Sequence, residues 1–105
     1  MVEKALSLSV SESKEIKSLL RKHNGKLIVG HLLLFHPAIQ KIKSMIDEGR
    51  IGKIQYIYSN RLNFGTIRKE ENVFWSFAPH DISLFQFFSN SFPSDVFSLG
   101  GDFLQ

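Results

Sequence analysis

The sequence KLIVGHLLLFHP, residues 26–37, decides how the chain is expected to fold. Its first part, from Lys26 to Gly30, is short, apolar and β-branched in its middle, which is typical of a buried strand. Gly30 is expected to end this strand. Pro37 has the fixed backbone angle that suits the first residue of a helix. The stretch therefore predicts a strand that is followed within a few residues by a helix.

A helix is also predicted upstream of this strand, over residues 10–24. Ser9 and Glu12 have the spacing of a capping box, in which two side chains satisfy free backbone amides at a helix N-terminus. Apolar residues then repeat at helical intervals until Gly25 offers a stop. Helix and strand thus alternate from the beginning of the chain.

The rest of the chain continues this alternation. A helix is predicted over residues 37–49, and period-two alternation favours a long strand over residues 53–63. A long loop over residues 65–79 is expected to lead into a short helix over residues 82–90, with another strand over residues 96–99. This order of elements gives an α/β or α+β class.

The composition indicates a globular protein and excludes several kinds of partner. Hydrophobic residues make up 43% of the 105 residues and charged residues 22%, so disorder is not expected. The net charge of +3 is mild and dispersed, and we expect no nucleic-acid partner. Six aromatic residues between positions 74 and 88 are interpreted as core rather than as a platform for bases.

Cysteine and histidine usage bears on the compartment and on metal binding. The chain has no cysteine, which excludes disulfides and thiolate metal sites and fits a cytoplasmic protein. His31, His36 and His80 have no nearby carboxylate at metal-binding spacing, so no metal ligands are predicted. The longest apolar run is about half of what a bilayer span needs, so no membrane partner is expected.

Three segments, in this order, resemble the Gfo/Idh/MocA family of dehydrogenases, named after glucose-fructose oxidoreductase, inositol dehydrogenase and MocA. The turn VEKA, residues 2–5, resembles the family's Glu-Lys-Pro turn, with alanine in place of the proline. Residues 30–37, GHLLLFHP, lead into a helix, and residues 51–54, IGKI, resemble the entry to the family's first long strand. APHDI, residues 78–82, is similar to the segment that holds the family's catalytic histidine. Ser76 stands where many members have an aspartate.

The resemblance implies an internal fragment of a two-domain α/β enzyme, with both domains incomplete. Residues 1–30 would be the C-terminal part of a dinucleotide-binding Rossmann domain. Residues 31–105 would be the N-terminal part of the substrate and oligomerisation domain, an α/β domain with a mostly antiparallel sheet. The glycine fingerprint GxGxxG that binds the dinucleotide in Rossmann domains occurs nowhere in these residues.

The resemblance also implies a function. The complete enzyme would use NAD or NADP to oxidise a ring hydroxyl of a sugar or nucleotide sugar, and residues 60–65 and 71–75 look most like the nucleotide-sugar branch. Without the phosphate-binding loop, the fragment is expected to bind no cofactor and to be inactive alone. The alternative is a non-catalytic oligomerisation or interaction remnant, which forms homo-oligomers through its sheet.

Two residues are the catalytic candidates that the resemblance implies. Alcohol oxidation needs a group that takes the hydroxyl proton, and His80 suits this task if a helix N-terminus favours its neutral form. Lys4 would stabilise the developing alkoxide, and Glu3 and Lys4 together would contact the cofactor. From spacing alone, a surface histidine and a solvated lysine explain these positions better, and only the family resemblance favours a site role.

Substrate-binding candidates lie further along the chain. Arg61 and Asn63 share one face of the predicted strand, and such side chains bind sugar, pyrophosphate or carboxylate groups. A solvent-facing strand edge explains them nearly as well. Asp81 either binds substrate hydroxyls or caps the helix that follows it.

Overall fold

The structure is a computed structural model, and it describes residues 1–62, 65 and 71–101. Within them it contains two short strands, a short 3₁₀ helix and three α-helices. In chain order these are β1 (Val2–Glu3), α1 (Val10–Lys22), β2 (Val29–Gly30), the 3₁₀ helix (Leu32–Phe35), α2 (Pro37–Asp47) and α3 (Val73–Ser89).

β1 and β2 form a two-stranded parallel sheet. Val2 pairs with Val29 and Glu3 pairs with Gly30. Parallel strands need a crossover connection, and α1 provides it. A Cβ atom on Gly30 would lie 3.3 Å from the Val2 carbonyl oxygen, so glycine allows the close approach of the two strands. A strand was predicted over residues 26–30. The structure confirms it, but the observed strand comprises only residues 29 and 30.

The predicted helix over residues 10–24 is confirmed as α1, but its capping box is wrong. Ser9 is the residue before the helix, with extended backbone angles, yet within the described chain its side chain bonds to no helix amide. Its Oγ atom lies 2.6 Å from Oγ of Ser11 instead. At the other end, Asn24 adopts the left-handed conformation with φ of 49°, and the Gly25 amide donates to the Leu20 carbonyl at 2.7 Å.

The helix predicted over residues 37–49 is confirmed as α2. Pro37 is its first residue, and Nδ1 of His36 accepts a hydrogen bond from the Ala38 amide at 3.2 Å. The imidazole thus satisfies an amide that would otherwise have no partner at the start of the helix. After Asp47, Gly49 takes a positive φ of 70°, which glycine adopts without the steric cost of a side chain.

The prediction of a loop over residues 65–79 followed by a short helix is wrong for residues 73–79, while residues 66–70 lie outside the described residues. α3 already begins at Val73, and the Oδ1 atom of Asn72 caps it by accepting from the Trp75 amide at 3.0 Å. Pro79 lies inside α3 rather than at its start. Asn72 therefore marks the start of α3. From the sequence, the start is expected after Pro79, because proline is common in the first turn of a helix.

The strands predicted over residues 53–63 and 96–99 are wrong for the described residues. Residues 53–62 and 96–99 form no ladder there, since β1 and β2 pair only with each other. A strand needs a neighbour for its backbone amides and carbonyls, and alternation in the sequence cannot supply one. Tyr56 and Tyr58 remain exposed, with their rings stacked at 6.3 Å.

The helices pack loosely on one another. The 3₁₀ helix contacts both α2 and α3, and the ammonium of Lys43 in α2 lies 5.7 Å from the ring of Phe87 in α3. No hydrophobic side chain in the described part of the chain is buried, so the interpretation of the α3 aromatics as a core is wrong for this structure. The helices found in this part are too short or too polar to cross a membrane.

We predict that Asn72→Ala lowers the free energy of unfolding by about 1 kcal/mol, since it removes the side chain that caps α3. Asn72→Asp keeps an oxygen acceptor at the same place and should leave stability near that of the parent. Urea unfolding followed by circular dichroism measures both variants. Equal losses from the two substitutions would contradict the capping role.

Candidate functional site

Lys4 connects the strand pair to α3. It is the residue directly after β1, and its Nζ atom donates a partly buried hydrogen bond of 2.7 Å to the backbone carbonyl of Ser76. Ser76 is 6% exposed. The sequence had singled out Ser76 because it lacks the aspartate that many family members have there. In this structure the ammonium binds the backbone carbonyl, which any residue at that position would offer.

His80 follows Ser76 by one helical turn on α3. Because α3 begins at Val73, His80 lies seven residues inside the helix and not at its start, so the expected effect of the helix N-terminus is wrong. Burial is the main cause that lowers the pKa of His80, and the nearby charges of Lys4 and Arg61 lower it further. The neutral imidazole is favoured, as expected, but for a different physical reason.

A second histidine lies close to His80. His31 directly follows β2, and its imidazole also contributes to the lowered pKa of His80. The Nδ1 atoms of both rings are buried and have no hydrogen-bond partner among the described residues. Sequence reasoning considered His31 only as a metal ligand. Its place directly after a strand was the available signal, because ligands of α/β proteins bind beyond the carboxyl ends of parallel strands.

Arg61 and Asp81 bind each other beside His80. The Nε and Nη2 atoms of Arg61 donate to the two carboxylate oxygens of Asp81 at 3.0 and 3.1 Å, and the Ser59 hydroxyl donates to Oδ1 at 2.8 Å. Burial would raise the pKa of Asp81, but these hydrogen bonds outweigh it and the pKa is lowered. Asp81 lies inside α3, so the expectation that it caps the helix is wrong.

The remaining predicted site residues are not part of this cluster. Glu3 is exposed in β1, and no ion pair joins it to Lys4 in the described chain. Asn63 lies outside the described residues. The structure therefore brings together four of the six candidates: Lys4, Arg61, His80 and Asp81.

An open groove begins at His31 and runs along α3. It has a volume of about 620 Å³, and its walls are mostly apolar, with Trp75, Pro79 and Phe87 among them. Within the described residues, no group of three histidine, aspartate or glutamate side chains is arranged to hold a metal ion.

Comparison with known proteins gives relatives but no matching family model and no matching solved structure. The chain is 29% identical over 103 residues to the uncharacterized oxidoreductase YrbE of Bacillus subtilis (strain 168). This alignment covers 93% of the chain and 30% of YrbE. It is 23% identical over 109 aligned positions to an uncharacterized oxidoreductase of Streptococcus pneumoniae serotype 4, covering 95% of the chain and 30% of the relative. The chain is a distant relative of oxidoreductases.

A third relative of this oxidoreductase-like chain carries a different name. It is the 2,7-anhydro-N-acetylneuraminate hydratase of Mediterraneibacter gnavus, 25% identical over 109 aligned positions that cover 95% of the chain and 29% of the hydratase. The chain spans about 30% of the length of the curated relatives it matches. The similarity to oxidoreductases inferred from the sequence motifs is confirmed at this general level.

We predict that Lys4→Met raises the pKa of His80. The substitution keeps the apolar stem of the side chain but removes the ammonium, and a nearby cation disfavours the charged imidazolium. Titration of the His80 ring by NMR measures the change. Lys26→Met is the matched control, since Lys26 is exposed and is not among the groups that shift His80. An unchanged or lowered pKa in the Lys4 variant would be evidence against this electrostatic contact.

Proposed function

We propose that the chain is part of an NAD(P)-dependent oxidoreductase of the Gfo/Idh/MocA family that oxidises a ring hydroxyl of a sugar or nucleotide sugar. One observation supports this most strongly. Lys4 and His80, to which the family resemblance assigns the chemistry, meet on one turn of α3 although 75 residues separate them in sequence, and the Lys4 charge acts on the His80 ring. The similarity to named oxidoreductases supports the reaction class.

His80 would take the hydroxyl proton of the substrate. A proton acceptor must be neutral when the substrate binds, and burial together with the Lys4 and Arg61 charges favours that form. The cofactor, when bound, would supply the acceptor for the hydride that leaves the carbon bearing this hydroxyl, while His80 takes the proton from its oxygen. The buried Nδ1 atom of His80, which has no hydrogen-bond partner in the described part of the chain, is the kind of atom that a bound polar group would satisfy.

Lys4 would stabilise the negative charge that develops on the substrate oxygen. Its ammonium has three N–H donors, of which the described residues use one, for the Ser76 carbonyl, so the others would be offered to a ligand. Because this carbonyl fixes the ammonium before the substrate arrives, little reorganisation is needed during the reaction. Glu3, the preceding residue, would orient the cofactor from the exposed end of β1.

The residues present fit the reactive end of the cofactor but not its phosphates. Lys4 and His31 lie at the carboxyl edge of a parallel strand pair, where α/β enzymes bind their ligands. The glycine fingerprint that holds a pyrophosphate is absent from the 105 residues. Binding of NAD or NADP would therefore depend on other parts of the complete enzyme.

The substrate would be bound from the side of Arg61 and Asp81, and Asn63, which lies outside the described residues, stays a further candidate from the sequence. A guanidinium has five N–H donors, and Asp81 takes two from Arg61, which leaves donors for a sugar hydroxyl or an acidic group. One relative is named for its action on 2,7-anhydro-N-acetylneuraminate, which supports a sugar-like substrate.

We predict that His80→Asn lowers the kcat of the complete enzyme by about 10²- to 10⁴-fold, the usual contribution of a general acid or base. The assay follows the absorbance of reduced nicotinamide with a panel of sugars and nucleotide sugars. His23→Asn, at the exposed C-terminal end of α1, is the control and should leave kcat unchanged. Full activity of the His80 variant would exclude its role, and a complete enzyme that reduces neither NAD nor NADP would exclude the proposed function.

A second candidate function is that of a non-catalytic oligomerisation module. Large apolar side chains are unusually exposed along residues 56–58 and 92–99, including Tyr58 at 74%, Phe97 at 89% and Leu99 at 90%. Tyr56, Ile57 and Phe92 line one groove, and apolar surface that is exposed together in this way marks interaction sites. These residues would then contact a second copy of the chain.

For this candidate we predict that the chain sediments as an oligomer, and that Phe97→Glu shifts it towards monomer because a carboxylate would be buried without a partner. Ser94→Glu adds the same charge at an exposed polar position nearby and serves as the control. A clean monomer of the parent chain at high concentration would remove this candidate.

A further inference from the structure

The contact between Arg61 and Asp81 joins distant parts of the chain. It spans 20 positions, whereas the Lys43–Asp47 ion pair lies within one helix. Arg61 uses two nitrogens for the two oxygens of Asp81, which is the parallel, bidentate geometry of the strongest ion pairs. The Asp81 side chain is 16% exposed and that of Arg61 is 37% exposed. This contact is therefore more specific than an ordinary surface ion pair, in which two flexible side chains gain little from pairing.

Further contacts fix the direction of the Arg61 guanidinium. The Ser59 hydroxyl donates to the same carboxylate at 2.8 Å, so two residues of the segment before the undescribed stretch hold Asp81. The central carbon of the guanidinium lies 5.9 Å from the centre of the Phe77 ring, within the range of a cation–π contact. The guanidinium thus has a carboxylate at one edge and an aromatic ring near it.

Both anchors of Arg61 lie on the part of α3 that carries His80. Phe77 precedes His80 by three residues, which places both on one helix face, and Asp81 is the residue directly after it. Lys4 binds the carbonyl of Ser76, four residues before the imidazole. Two cations, Lys4 and Arg61, are therefore anchored to the stretch of α3 that carries His80, and Arg61 is held there by a carboxylate.

We propose that Arg61 and Asp81 act as a positioning pair for His80, in which Asp81 and Phe77 hold the guanidinium on the turn of α3 that carries the imidazole, so that two opposed charges act on that ring. The effect on catalysis rests on the proposed function, while the electrostatic contact itself does not. From the sequence, Arg61 was expected to bind substrate, and Asp81 either to bind substrate or to cap the helix. Here the two members of the pair are assigned a second task that acts through His80.

The charged groups near His80 come from several elements, and they shift its pKa in different directions. Lys4, from the end of β1, and Arg61 both lower its pKa, after the larger effect of burial. Asp81, on the same helix, raises it, and His31, after β2, lowers it. The two members of the pair therefore act on the imidazole in opposite directions.

Opposite directions make the test decisive. The test is NMR titration of the His80 ring in the full 105-residue chain. Asp81→Asn should lower the His80 pKa, because it removes an anion that stabilises the charged imidazolium. Arg61→Gln should raise the His80 pKa, because it removes a cation that destabilises the imidazolium. If the pair were only a mechanical brace, either substitution would open the same contact and expose the ring, and both would raise the pKa. Shifts in the same direction, or no shift in either variant, would overturn the proposal.

Three further variants separate charge from shape. Ser59→Ala removes one hydrogen bond to Asp81 without a change of charge, and Arg61→Lys keeps the cation but not the bidentate geometry; both should leave the His80 pKa close to that of the parent. The double variant Arg61→Gln with Asp81→Asn should bring the pKa back towards the parent value. A shift in Ser59→Ala as large as that in Asp81→Asn would contradict the electrostatic assignment.

The outcome can be separated from that of the proposed function. In the complete enzyme, the acidic limb of the kcat profile against pH should move in the direction that NMR gives for each variant. If His80→Asn leaves turnover intact, the dehydrogenase proposal fails while the NMR result still stands. If Asp81→Asn and Arg61→Gln shift the His80 pKa in the same direction, the proposal of a positioning pair fails, while the proposed catalytic role of His80 is unaffected.

Discussion

The parallel pairing of β1 with β2 is the constraint on which the site depends. Two residues that are far apart in sequence, Lys4 and His31, directly follow paired positions of the two strands and therefore lie at the same edge of the sheet. Both then act on an imidazole that belongs to a third element, α3. Gly30 favours this pairing, because a Cβ atom there would lie 3.3 Å from the Val2 carbonyl oxygen and would crowd it. Without the pairing of β1 with β2, no neighbouring part of the sequence would bring Lys4 to α3.

The site holds more positive than negative charge around one histidine. Lys4 is bound by a neutral carbonyl, so its charge is not cancelled, whereas the charge of Arg61 is partly balanced by Asp81. An imidazole in this setting resists protonation, and an anionic group that bound there would be stabilised. The same arrangement suits an oxygen that becomes negative during a reaction. In the proposed function, this oxygen would be that of the alcohol that is oxidised.

Local features of the fold could be predicted from the sequence. α1 and α2 follow from apolar periodicity, and Pro37 defines the start of α2. α3 was misplaced because Pro79 resembles a start signal, while the real signal, Asn72, is a single residue at the end of an irregular stretch. The alternation over residues 53–62 describes faces of a strand but cannot state whether a partner strand is present. In the described residues no partner pairs with this segment.

The site was harder to predict than the helices, because its contacts are tertiary. Lys4 and His80 were paired only through family resemblance, since no spacing rule joins residues so far apart. The bond of Asp81 with Arg61 and Ser59 had no signal in the sequence, where Asp81 reads equally well as a cap. His31 was missed because its position after a strand gains meaning only once that strand is known to pair with the strand before Lys4.

The proline inside α3 has a consequence for how that helix melts. Pro79 has no amide hydrogen to offer the carbonyl one turn earlier, so the ladder of backbone hydrogen bonds is interrupted beside His80. The six residues before the proline and the ten after it are then coupled more weakly than two halves of an ordinary helix. Fraying from the N-terminal side can stop at this point, which leaves the C-terminal turns intact while the lysine contact is lost.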